Sequence, residues 1–515
     1  MNPTAAIRRV DLARPLRVLA LQTGLSLGVG CSAALALTLL FSGSLLVRLS
    51  IVAAIVVILT LEFSGNVRLA CLYGLAIGAP LEVSKNFMMI AHQGGAFSLR
   101  IDVVDVFILG LLAFQVQELL VGKRRAIRFP EVSVPWIMLM ALGLVVVITG
   151  PYRTLTGLEI ARMLKCLLLF LVLVNELRRV QQFGHLAVGL MVGVLLQSGV
   201  ALLQLLLNRR LGLQAIGESS EQVAMIHSQT TLVTREAVNR VGGLLGHSNV
   251  LAVFLSLLLP IGIALLFTRV DVRLRTFCLV TVLAGTAAMI ATLSRTGWAG
   301  YGAALVGVLV LGGLYPGSWQ RHGLKRLFVM AAIAAVLLAF SRPILLRLLY
   351  SDEGAVRVRW EWADTAWQMV RAKPLLGHGL NQYVWQMAPY TRYGDMTALH
   401  NAYGKLLPVV HNNYMVVWAE QGTLGLIAFL ALQYQVIRIG LRNLKVRHET
   451  LFALSVGGLC GVGAMMLDWV TSFSLRLDSP TRMYWVVVAI LCAVDIWWRE
   501  NGSPSGSTQP LGPAA

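Results

Sequence analysis

Charge is what this chain has least of. Only 13% of its 515 residues are Asp, Glu, Lys or Arg, about half the ~25% of a soluble globular protein. That shortfall excludes an ordinary soluble domain. Acidic side chains are scarcest, 24 against 43 Lys and Arg, for a net charge of +19. The cations sit in short loops rather than in a separate basic domain, which argues against nucleic-acid binding. The six cysteines (Cys31, Cys71, Cys166, Cys278, Cys460, Cys492) lie singly inside apolar runs. With no CxxC and no Cys/His spacing, neither a disulfide framework nor a structural zinc is indicated. The apolar runs do not alternate in polarity, so a β-barrel is excluded as well. The first of them is longer than a signal h-region and lacks a clear small-residue cleavage site, so it is expected to remain in the chain.

What is present is apolar sequence: 57% hydrophobic residues and a mean hydropathy of +0.73. It divides into runs of about 15–25 residues, the length of a bilayer-crossing helix. In lipid the backbone must satisfy itself, and helices do so. The fold class expected is all-α, a polytopic membrane helix bundle of about 12–14 spans with a large helical periplasmic loop. The spans fall near 18–41, 45–61, 67–81, 101–120, 134–149, 160–174, 183–207, 248–268, 276–293, 297–314, 327–340, 411–437, 450–470 and 482–498. Basic clusters punctuate them: Arg8, Arg9, Arg14 and Arg17; Lys123, Arg124, Arg125 and Arg128; Arg178 and Arg179; Arg269, Arg273 and Arg275; Arg321, Lys325 and Arg326; Arg438, Arg442, Lys445 and Arg447. Alternating spans put every cluster on one side, which the positive-inside rule makes the cytoplasm, with both termini inside. The domain division expected is transmembrane helices over 1–207, a periplasmic loop at 208–247, helices over 248–340, a large periplasmic loop at 341–410, helices over 411–498 and a disordered cytoplasmic tail at 499–515.

Polar candidates gather at the ends of spans. Arg240 stands in Asn239-Arg240-Val241-Gly242-Gly243-Leu244-Leu245-Gly246-His247-Ser248-Asn249, where glycines allow close backbone approach. Arg295 lies between two apolar runs with almost no loop, and a charge at such depth faces a cavity or a partner, or snorkels to the headgroups. In the long loop, Trp360, Ala363, Trp367 and Val370 share one helical face that suits the membrane interface. Arg357 and Arg359 flank that helix, and an i,i+4 pair with Glu361 explains Arg357 as well as a ligand does. Gly377-His378-Gly379 after Pro374 reads as a tight turn. His411 opens a span, with Asn412, Asn413 and Tyr414 behind it. The positive end of the helix dipole disfavours its imidazolium, and a neutral imidazole is what a general base needs. A headgroup-level histidine satisfied by hydrogen bonds is the plain alternative. His400, eleven positions earlier, is a second candidate with Asn401 and Tyr403 similarly placed.

The order of these stretches resembles the O-antigen ligase and O-antigen polymerase family of membrane glycosyltransferases. The resemblance is carried by residues 240–249, by Ser294-Arg295-Thr296-Gly297, by the 359–383 segment with Pro374-Leu375-Leu376-Gly377-His378-Gly379, and by His411-Asn412-Asn413-Tyr414 with Gly422-Thr423-Leu424-Gly425-Leu426. It covers about residues 235–435. It implies transfer of a glycan from undecaprenyl diphosphate to an acceptor at the periplasmic face of the bacterial inner membrane. Arg240 and Arg295 would hold the diphosphate, since guanidinium binds phosphate oxygens bidentately. His411 would take the proton of the attacking hydroxyl. Arg357, Arg359, His400, Asn412 and Tyr414 are possible substrate contacts. The donor is a lipid-linked glycan, the acceptor lipid A core, a growing polysaccharide or a protein side chain, and the bilayer a further partner; no nucleic acid is expected. No cofactor or metal is expected either, because the Asp-x-Asp carboxylate pair is absent and Asp352, Glu353 and Asp395 form no ligand cluster. A transporter or lipid flippase is the rival class, disfavoured by the lack of a convincing internal repeat.

Overall fold

The computed structural model describes residues 67–123, 126–149, 151–218, 240–269, 271–316, 318–339, 341, 345, 353–404 and 407–502. The first two predicted spans, the cluster Arg8 to Arg17 and residues 503–515 lie outside the described residues. So do 219–239, within the first loop, and most of 340–352. The other twelve predicted spans are all helices. In chain order these are α1 (Val67–Gly78), α2 (Val103–Leu120), α3 (Ser133–Thr149), α4 (Arg153–Glu176), α5 (Val180–Leu207), α6 (Ser248–Leu266), α7 (Val272–Ala291), α8 (Arg295–Gly312) and α9 (Ser318–Ala339). The long loop contributes α10 (Glu353–Ala372), α11 (Tyr383–Gln386) and α12 (Met396–Tyr403), and the chain closes with α13 (Asn413–Arg442), α14 (Glu449–Asp468) and α15 (Asp478–Asn501). Strands β1 (Ser84–Phe87) and β2 (Leu99–Asp102) form one antiparallel hairpin. The chain is thus an all-α, polytopic membrane bundle. Seven of its described helices (α2, α5, α6, α7, α13, α14, α15) are long and apolar enough to cross a bilayer. The last helix reaches Asn501, so the start of the predicted tail at 499 belongs to it.

The core is built around α6, in which every residue from Leu251 to Leu266 is buried. Helix α14 packs against it through Gly457 and Gly461, spaced as in small-xxx-small contacts. A methyl on Gly461 would overlap the Leu257 carbonyl, and one on Gly457 would overlap the backbone at Ile261. Gly461→Val is therefore expected to destabilise the bundle by about 3 kcal/mol or more. Thermal unfolding in detergent reads this directly, and an unchanged Tm would mean that α6 and α14 can part.

Two faces result. On one, the basic loops meet: Arg128 N–H donates to Asn175 Oδ1 (2.8 Å), Arg269 N–H to Glu449 (3.3 Å) and Tyr315 Oη to the Arg447 carbonyl (2.7 Å). The other, the loop face, gathers the hairpin, the first residues of α4, α6, α8 and α13, the long loop and the 468–478 turn. The charges that helix α4 carries within a predicted span serve a buried ion network. Arg476 bridges Glu159 (3.1 Å) and Glu420 (2.5 Å), while Arg162 pairs with Glu159. Asp102 receives Arg100 (2.7 Å), Lys165 (2.8 Å) and Arg482 (2.9 Å). Charges this deep persist only when paired and hydrogen-bonded. The network fixes the hairpin, α4, α13 and α15 relative to one another.

Helix α13 is interrupted at Gly422 (φ 64°, ψ −168°), a conformation open to glycine. The freed groups are satisfied by the long loop. His378 N–H donates to Ala419 O (2.9 Å) and Gly379 N–H to Glu420 O (2.7 Å). In return Thr423 N–H donates to Pro374 O (2.8 Å) and Leu424 N–H to Leu375 O (3.3 Å). Gly377-His378-Gly379 is thus a tight turn plugged into the break. Below it, the Glu420 carboxylate accepts from Asn381 N–H (2.9 Å) and Tyr383 N–H (3.1 Å). These bonds anchor the root of the loop to the bundle.

Candidate active site

The site forms where the ends of α7 and α14 meet the starts of α6, α8 and α13 on the loop face. Helix α7 ends at Ala291 with Thr292 as its C-cap, and α8 begins at Arg295 with Ser294 as its cap (Gly297 N–H to Ser294 Oγ, 3.4 Å). The two-residue reversal requires Leu293 at φ 51°, a strained value for a leucine that costs about 1 kcal/mol or more. It turns the Thr292 carbonyl toward Arg240, whose Nε donates to it at 2.8 Å. It also leaves Arg295 exposed on the loop face, with no side-chain hydrogen bond or ion pair among the described residues.

Residues 240–249 cross this corner. Gln204 and Gln197 of α5 accept the Gly243 and Leu244 amides (both 2.9 Å) and hold the turn. A guanidinium N–H of Arg240 donates to Asn249 Oδ1 at 2.6 Å. The backbone N–H of Asn249 donates to Nδ1 of His247 (3.1 Å), which caps α6. His247 is half-buried and within electrostatic range of both Arg240 and His411. Burial first, then the Arg240 charge, holds its pKa down at about 4.

His411 sits two residues ahead of α13. Its Nδ1 lies 3.0 Å from the Val409 carbonyl. A carbonyl only accepts, so Nδ1 carries the proton of the neutral ring, and Nε2 keeps its lone pair. The ring meets Phe473 edge-on at 5.2 Å. Burial, followed by the charge of Arg359, lowers its pKa below the usual 6.5. The segment is sewn to the end of α14. Asn412 caps α13 (Met415 N–H, 3.0 Å) and donates to Val470 O (3.0 Å), Asn413 N–H donates to Trp469 O (2.9 Å), and Tyr414 Oη to Met466 O (3.2 Å). Asn412 and Tyr414 therefore position the turn.

Of the long-loop candidates, Arg359 joins the cluster. It interacts electrostatically with Arg295, with His411 and with the buried carboxylate of Asp468, which accepts from Ser474 Oγ at 2.9 Å. Arg357 does not join; it is solvent-facing and 3.8 Å from Glu361, as the i,i+4 spacing allows. His400 lies on α12, and its side chain forms no hydrogen bond or ion pair among the described residues. The face of α10 that packs inward is Trp362, Ala366, Met369 and Val370, whereas Trp360 is 73% exposed and Trp367 37%. The tryptophans at 360 and 367 thus stand on the outer side of the helix. Of the face expected to suit the membrane interface, Val370 alone is buried, because it packs into the loop cluster.

The structure brings together Arg240, Arg295, Arg359 and His411, with His247 and Asp468 added. Those two carried a faint signal in sequence: a histidine before Ser-Asn at a helix start, and an acid closing an apolar run. Chemically the cluster offers concentrated positive charge, a lone pair at His411 Nε2 and a neutral N–H at His247 Nε2. Among the described residues no group of three or more His, Cys, Asp or Glu could hold a metal ion.

Comparison with curated proteins gives no match to the chain. Residues 279–430 match the family model described as O-antigen ligase, a stretch from α7 to the middle of α13 that contains Arg295, Arg359 and His411. The chain is a multi-pass membrane protein whose 279–430 region is similar to the O-antigen ligase family, a likeness that supports glycan transfer in general.

Proposed function

We propose that the chain moves a glycan from undecaprenyl diphosphate to a sugar acceptor on the periplasmic side of the bacterial inner membrane, by an inverting and metal-independent displacement. The observation that supports this reading is His411 Nε2, unprotonated, within electrostatic range of Arg359, which in turn faces Arg295, while His247 lies within range of both His411 and Arg240. An acceptor hydroxyl attacks the anomeric carbon, and its proton passes to His411 Nε2. The bond from that carbon to the diphosphate oxygen breaks, and the electron pair leaves with undecaprenyl diphosphate. Arg240, Arg295 and Arg359 stabilise the charge that grows on this leaving group. Arg295 and Arg359 repel each other, and a diphosphate held between them relieves that repulsion. The acceptor is lipid A core or a growing polysaccharide, and the loop face carries it.

The test is product analysis. NMR of the new linkage should show the anomeric configuration opposite to that of the donor. A product ladder identifies a polymerase and a single addition to lipid A core a ligase; retained configuration contradicts the single displacement.

The pH dependence follows from His411. The neutral ring is the active form, so activity is full above the folded pKa and falls as pH drops through it. That limb should lie below 6.5 because the pKa is lowered. Arg359→Gln removes one cause of the lowered pKa and should move the limb up. A limb that stays put or moves down would break the link between the two residues.

A further inference from the structure

His247 has no role in the displacement above, yet its surroundings are specific. Its Nδ1 accepts the Asn249 amide proton. The neutral ring therefore carries its hydrogen on Nε2, and Nε2 has no hydrogen-bond partner among the described residues. Asn249, whose backbone orients the imidazole, also holds the Arg240 guanidinium through its side chain. One residue thus sets the geometry of a cation and of a neutral donor, both at the first turn of α6, where the helix dipole favours negative charge. Gln197 and Gln204 hold the preceding turn, so the unit is rigid before any ligand arrives.

We propose that His247 binds the leaving diphosphate through Nε2–H, as an uncharged hydrogen-bond donor to a phosphate oxygen held beside Arg240. This rests on the functional reading above. The absence of charge has a purpose. His411 must accept a proton nearby, and a second cationic imidazole within its electrostatic range would oppose that transfer. Burial and Arg240 keep His247 neutral at physiological pH. It adds a directed contact to the phosphate without adding to the repulsion among the guanidiniums.

Two substitutions separate ligand contact from capping. In His247→Asn the shorter amide still reaches the Asn249 amide, because asparagine is a good helix cap, but nothing remains at the position of Nε2. In His247→Gln the amide nitrogen reaches that position, while the cap is lost. The measurement is equilibrium binding of undecaprenyl diphosphate, without glycan, to the full chain in lipid nanodiscs at pH 7.5. Thermal unfolding of each variant runs in parallel.

H247N should bind about tenfold more weakly with an unchanged Tm, the scale of one hydrogen bond to a charged group. H247Q should keep most of the affinity with a lowered Tm. In wild type, the His247 Nε2 resonance should shift and its pKa rise when the diphosphate binds. Wild-type affinity in H247N overturns this inference; if Arg295→Gln still weakens binding, the functional reading stands. Weakening of both variants only in step with a lowered Tm makes His247 a cap and overturns it as well. A wild-type protein that does not bind undecaprenyl diphosphate overturns both.

Discussion

His411→Ala should lower the transfer rate by about 10²- to 10⁴-fold at pH 7.5, the range lost with a general base. The ring contacts the protein through the Val409 carbonyl and the edge of Phe473. The fold is held elsewhere, by Asn412, Asn413 and Tyr414 against the end of α14. Truncation should therefore spare stability and donor affinity, and the loss should fall on kcat rather than on KM. Added imidazole should restore part of the rate. His400→Ala is the control. Its side chain makes no hydrogen bond or ion pair among the described residues, and it lies on α12 rather than at the end of α14, so the rate should change by less than about threefold, as for a position without a transition-state contact. A large loss at His400 with little at His411 would reverse the assignment.

Arg295→Gln should reduce kcat/KM by about 10²- to 10³-fold, comparable to removing one donor from a site that stabilises developing charge. This is the cleanest of the cluster arginines to remove. Arg240 also holds the Thr292 carbonyl and Asn249, so its loss would disturb the 240–249 turn. Arg359 belongs to the loop helix. Arg295 makes no side-chain hydrogen bond or ion pair among the described residues, and Ser294, not Arg295, caps α8. Its substitution should leave Tm nearly unchanged. Arg295→Lys should recover only part of the loss, because an ammonium cannot form the bidentate pair with phosphate. Steady-state kinetics with a lipid-linked oligosaccharide decide it, and wild-type kcat/KM in the glutamine variant would remove Arg295 from the site.

Much of this arrangement could be read in the sequence, for physical reasons. Apolar runs of spanning length leave the backbone no option but helix, and each predicted span among the described residues is one. Polar residues at the ends of such runs are few, so Arg240, Arg295 and His411 stood out. Other features were hidden because they depend on contacts distant in the chain. The buried network around Glu159, Arg476 and Glu420 joins residues up to 317 positions apart, and no local spacing announces it. The break at Gly422 looked like continuous helix. It exists because residues 374–379 supply the hydrogen bonds that the helix gives up. The strained Leu293 follows from joining two long helices with almost no loop. His247 reads locally as an ordinary cap, and only the fold shows Arg240 and His411 within range of it. The inward face of α10, Trp362, Ala366, Met369 and Val370, was not named from the sequence, because aromatic residues occur on both sides of that helix.

The most direct test of the account uses purified wild-type protein with an undecaprenyl-diphosphate oligosaccharide and candidate acceptors, in the presence of a chelator, following the release of undecaprenyl diphosphate. The account predicts release that depends on an acceptor, persists with the metal chelated, and yields one equivalent of transferred glycan per diphosphate freed. No release from folded protein with any acceptor, alongside movement of the intact lipid-linked glycan across the bilayer, would contradict it and make the chain a transporter.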